Sequence, residues 1–139
     1  MKLLLTALLV LSFVVGNAGA DERARLDNVK TEWQNAYGAI IYTVLAEVKN
    51  VSAAPIRYVK VKVELVDKDG KTVAERVGYN AGAEVLEVVV EGAAKDPAEN
   101  LKQVKPIAPG ATDLVRISFD KADIGKPFRK ANVSVVEVR

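Results

Sequence analysis

Val59 to Glu75 reads VKVKVELVDKDGKTVAE, and this stretch decides the fold class. Val59, Val61, Val63 and Leu65 alternate with Lys60, Lys62 and Glu64, the period of a strand with one buried and one wet face. Asp67-Lys68-Asp69-Gly70 then offers a tight turn, with a glycine free to take the left-handed conformation. A second strand follows from Lys71 to about Tyr79, with Val73, Val77 and Tyr79 expected on its inner face. Burying one large apolar side chain is worth roughly 1.5–3 kcal/mol, so such a hairpin needs a second sheet to cover it.

Working outward, the same period recurs. Ile40, Tyr42, Val44, Ala46 and Val48 share one face of a strand from Ala39, leaving Ile41 and Leu45 on the other face. Those two read either as a protein-binding patch or as residues covered by a neighbouring segment. Asn50-Val51-Ser52-Ala53-Ala54-Pro55 ends that strand, and the next is expected from Ile56 to Val66. Strands are also expected over Glu84–Glu91, Asp113–Phe119 and Phe128–Val138, with a loop or single turn over Asp120–Gly125. Asp96-Pro97-Ala98-Glu99 has the order of a capping box and predicts one short helical turn. Six to seven strands, and at most one short helical turn, predict an all-β antiparallel immunoglobulin-like β-sandwich.

The ends set the context. Lys2 precedes an apolar run of 13 residues, Leu3 to Val15, and Ala18-Gly19-Ala20 has the small residues of a signal cleavage site. A bilayer-crossing helix needs about 20 residues, so residues 1–20 read as a secretory signal cut after Ala20. The expected location is the periplasm or the exterior, with no stable membrane insertion afterwards. Residues 21–38 read as a leader into the fold: Leu26, Val29 and Trp33 have helical spacing, while Val29, Thr31 and Trp33 suit a strand. Residues 39–139 would form the sandwich. Removing 20 of the 139 residues leaves 119, enough for one domain with its own core.

Lys2 is the only charge in the signal, so the rest carries 19 basic against 18 acidic residues, too even a balance to steer nucleic acid. Histidine and cysteine are absent, which removes Ser-His and Cys-His nucleophiles and the usual zinc and copper ligands. After the signal only Ser52, Ser118 and Ser134 remain, none with a partner base, so no enzyme and no cofactor is expected. Aligning Gly70 with the invariant glycine of a helix-loop-helix calcium loop puts Leu65 at the first ligand and Arg76 at the last, and that site fails. A hairpin turn stabilised by Asx hydrogen bonds is the simpler reading, with a weak surface calcium site through Asp67 and Asp69 as the alternative. Two surfaces stand out as interaction candidates: Tyr58, Lys60 and Lys62 on the face opposite the valines, and the acidic Glu84, Glu87 and Glu91. Asn50-Val51-Ser52 and Asn132-Val133-Ser134 match the glycosylation acceptor pattern.

Val48-x-Asn50-x-Ser52-x-x-Pro55, Val63-x-Leu65-Val66-Asp67, Asp69-Gly70-Lys71 and Ile107-x-Pro109-Gly110 occur in an order that resembles the FxLYD domain family, across Ala39 to Val138. The naming Phe and Tyr of that family are Val63 and Val66 here, and Ala46 stands where a glycine is usual. The resemblance implies a small exported immunoglobulin-like sandwich and supplies no catalytic residues. A more distant likeness is to the sandwich domains of late-embryogenesis proteins. The expected role is a non-enzymatic envelope module acting on a protein partner, the alternatives being a periplasmic small-ligand carrier or a stress-protective protein.

Overall fold

The computed structural model describes residues 22–87 and 101–139. In chain order the strands are β1 (Ala24–Ala36), β2 (Ala39–Asn50), β3 (Val59–Val66), β4 (Thr72–Tyr79), β5 (Thr112–Asp120) and β6 (Lys130–Val138). A 3-10 helix (Ala81–Glu87) follows β4, and a one-turn helix, α1 (Lys121–Ile124), follows β5. One antiparallel sheet has the order β1-β2-β5 and the other β4-β3-β6. The chain crosses between them after β2, after β4 and after β5, so the fold is an all-β sandwich. Among the described residues no helix is long and apolar enough to cross a membrane.

The alternation quoted at the outset makes the core. Val59, Val61, Val63 and Leu65 are fully buried and meet Tyr42, Val44, Ala46 and Val48 of β2 across the sandwich. Val115, Ile117 and Phe119 of β5 and Ala131, Val133 and Val135 of β6 complete the two layers. Asp67 Oδ1 accepts from the amides of Asp69 and Lys71, and Gly70 sits at φ +80°, so the hairpin turn forms as expected. Asp120 caps α1 by accepting from Ala122 N, and left-handed Gly125 ends it.

Several expectations need correction. The leader, whose form the sequence leaves open, is strand β1, paired to β2 from Ala24↔Asn50 to Ala36↔Ala39. A bulge at Asn28 and Val29 interrupts the register, so Leu26 and Val29 both turn inward although they are three residues apart. Val77 and Tyr79 face outward rather than inward. The register passes from Leu65↔Ala74 to Val66↔Thr72, and the extra residue, Val73, inverts the parity of β4. Val73 and Ala74 both touch the core, and from there Glu75, Val77 and Tyr79 lie opposite Glu64, Lys62 and Lys60. Gly78 takes the inner position instead; a Cβ there would lie 3.0 Å from Ile117 Cγ1. The third strand begins at Val59, and Ile56 makes only an isolated bridge to Ile107.

The strand expected over Glu84–Glu91 is a 3-10 helix as far as Glu87; Glu91 and the turn expected at Asp96–Glu99 lie outside the described residues, as do residues 1–20. Long-range polar bonds override the local alternation there. Asn80, fully buried, accepts from Val59 N (2.9 Å) and donates to Asp113 Oδ2 (2.8 Å), which also accepts from Gly82 N (2.8 Å). Glu87 Oε1 accepts from Tyr79 N at 2.6 Å, curling the segment back onto β4.

Candidate functional site

The Tyr58, Lys60 and Lys62 face is knit together internally. Tyr58 packs edge-on against Tyr79 at 5.4 Å, and Lys60 Nζ lies 5.8 Å from the Tyr79 ring centre. Lys62 pairs with Glu64 at 3.2 Å, and hydrogen bonds from Thr72 and Lys62 hold the Glu64 carboxyl below its ordinary range. Partial burial, helped by the Glu137 carboxylate, raises the Tyr58 phenol. Lys60 and Glu87 come together in one shallow groove of about 350 Å³ with Arg76 and Arg116, whereas Lys62 and Glu84 do not line it. Arg76 is tied down there by donating to Ser118 O at 2.8 Å.

Asn50 is a structural residue. It is fully buried; its amide donates to Ala54 O and Ile107 O, and its Oδ1 accepts from Ser52 N and Ser52 Oγ. Gly110 N donates to Asn50 O, so the Asn50–Ser52 turn and the Ile107–Gly110 turn are built against one another. Both donor positions of that amide are occupied, which leaves no room for a glycan on Asn50 in the folded chain. Among the described residues no group of three potential metal ligands occurs.

A groove of about 690 Å³ lies at the other end of the sandwich and is lined by Trp33 and Phe128, which the sequence alone reads as core or rim anchors rather than ligand contacts. It starts from a two-residue turn. Ala36 pairs with Ala39, and between them Tyr37 (φ +52°) and Gly38 (φ +84°) are both left-handed, the pattern of a type I′ hairpin. The β2–β5 ladder ends at Ile41↔Asp120, so the hairpin tip projects beyond its neighbour strand. On the inner face at the base of this overhang Trp33 pairs with Tyr42, ring centres 4.9 Å apart. Phe128, entering β6 in the opposite sheet, meets Tyr42 edge-on at 4.9 Å and Trp33 at 5.9 Å.

Tyr42 is buried beneath this stack, and desolvation pushes its phenol above the ordinary range, opposed by a hydrogen bond with Thr31. Trp33 remains half exposed, Ile40 beside it is open, and Tyr37 at the tip is bare. Lys121, Lys126 and Arg129 line the facing wall, with Glu32 on the β1 side. The arrangement has an aromatic floor and a cationic wall. Such a floor and wall suit apolar and anionic groups.

A signal for this site was present in the sequence. Trp33 and Tyr42 stand at equal distances from Tyr37-Gly38, as cross-strand partners about a two-residue turn must. Comparison of the chain with protein-family models, curated proteins and solved structures returns no match.

Proposed function

We propose that this chain is an exported, non-enzymatic β-sandwich module that works through protein contacts in the cell envelope, and that the projecting β1–β2 hairpin is its contact surface. The observation that carries this is Tyr37. A bulky residue in the left-handed region costs about 1–2 kcal/mol relative to glycine, and a bare side chain recovers nothing by packing. Strain of that kind, maintained at an exposed aromatic beside half-open Trp33 and open Ile40, is what a recognition surface requires. Export is supported by the charge, apolar run and small residues of Met1–Ala20. The absence of histidine and cysteine supports a role without catalysis. The FxLYD likeness rests on the sequence motif alone, whose Asn50, Ser52, Ile107 and Gly110 bond to each other.

A photo-crosslinking amino acid at position 37, in the native envelope, is the test. Discrete protein adducts are expected there and not from Ala53, an exposed residue at the opposite end of β2. Equal labelling from both positions removes the hairpin as the contact surface. The groove favours a second reading, a small-ligand carrier: native mass spectrometry of gently purified protein would then show a bound mass that a Trp33→Ala variant lacks.

A further inference from the structure

We infer that the partner at this site is an acidic, extended peptide segment that adds as a strand along the open edge of β1 and directs alternate side chains into the groove. The inference rests on the protein-contact role proposed for the hairpin.

The backbone makes the first part of the case. Beyond its bulge, β1 runs in unbroken register from Lys30 to Ala36, seven residues, where an ordinary strand has about five to six. β2 occupies one side of it, and among the described residues the other side has no strand. An added strand therefore finds a row of unpaired amides and carbonyls long enough to hold it.

The side chains make the second part. Alternate residues of such a strand would share the face of Thr31 and Trp33, which is the groove face. There the half-open Trp33 ring and Phe128 present apolar surface, while Lys121, Lys126 and Arg129 are exposed on the facing wall. None of these three cations has an ion-pair partner among the described residues. The carboxylate on the β1 side, Glu32, is already accepting from Gln34 Nε2 at 2.7 Å. An apolar residue over Trp33 with carboxylates two positions to either side complements that pattern. A second copy of β1 does not: over residues 30–36 it offers a single carboxylate, Glu32, balanced by Lys30.

Trp33 is the sole tryptophan, so its fluorescence reports the site alone. The protein is titrated with an end-capped Thr-Glu-Thr-Phe-Thr-Glu-Thr peptide and with its counterpart carrying lysine for glutamate. The expected result is a saturable change in Trp33 emission with the acidic peptide, at least tenfold weaker with the basic one, and an inverted preference in a Lys126→Glu/Arg129→Glu variant. At saturation, amide exchange across residues 30–36 should slow. Equal response to both peptides overturns the acidic partner. A Trp33 response without slowed exchange overturns strand addition, and a concentration-dependent doubling of mass without peptide assigns the edge to a second copy instead. If adducts form at position 37 while neither peptide binds, this inference falls and the contact role stands; if adducts fail as well, both fall.

Discussion

Tyr37 pits stability against use at a single position. Asparagine tolerates the left-handed region far better than tyrosine, so Tyr37→Asn is expected to raise the unfolding free energy by about 1 kcal/mol in urea titrations. The same change should abolish the adducts formed by a photo-crosslinker placed at exposed Ile40 of the same hairpin; a loss of stability would mean that the ring packs in solution. Asn80 behaves in the opposite way, because its side chain serves the fold. Asn80→Ala strips the buried Val59 amide of its acceptor, at roughly 1–3 kcal/mol for a buried group left unpaired, while half-buried Asp113 loses one donor and keeps Gly82 N. A urea midpoint within error of the parent would contradict that role. Nothing near Asn80 in the sequence announced it, since its partners lie 21 and 33 residues away.

At the scale of elements, the β3–β4 hairpin was legible because its information is local: alternation in Val59–Leu65 and a turn whose bonds all close within Asp67–Lys71. What the sequence hid, it hid through bulges. In β1 the extra residue at Asn28–Val29 turns Leu26 and Val29 to the same side, which imitates helical spacing in a strand. In β4 the extra residue at Val73 reverses every later side chain. The 3-10 helix was masked because Leu86 continues an apparent alternation that the Asn80–Asp113 bonds overrule. The link between β4 and β5 also depends on two close approaches of unequal hardness. A Cβ on Gly82 would lie 2.7 Å from the Lys105 carbonyl oxygen, whereas one on Gly78 meets only side-chain atoms at 3.0 Å. Gly82→Ala should therefore destabilise more than Gly78→Ala in thermal melts, with about 1–3 kcal/mol expected for the latter. The reverse order would mean that the 105–107 segment yields more readily than Ile117.

Over the whole molecule, two layers close a core whose polar exceptions are all satisfied: among the described residues, no buried side-chain nitrogen or oxygen lacks a hydrogen-bond partner. The candidate site exists only at this scale. Trp33 and Tyr42 pair across a local turn in one sheet, but Phe128 comes from the segment leading into β6 of the other, so no local pattern predicts the full stack. Its titration follows from the fold. Burial favours the neutral Tyr42 phenol, so that stabilising contribution is intact below about pH 10 and is lost as pH rises through the elevated folded value. Tyr42→Phe should flatten the alkaline limb of the stability–pH curve, with Tyr58, shifted in the same direction, accounting for what remains. An unchanged limb would place the Tyr42 hydroxyl in water. The joining of both sheets at an open aromatic stack is most directly read from proton–proton contacts of the Trp33 indole by NMR. Cross-peaks to both Tyr42 and Phe128 are predicted; an indole that sees neither ring would contradict both the strand assigned to residues 24–36 and the groove built on it.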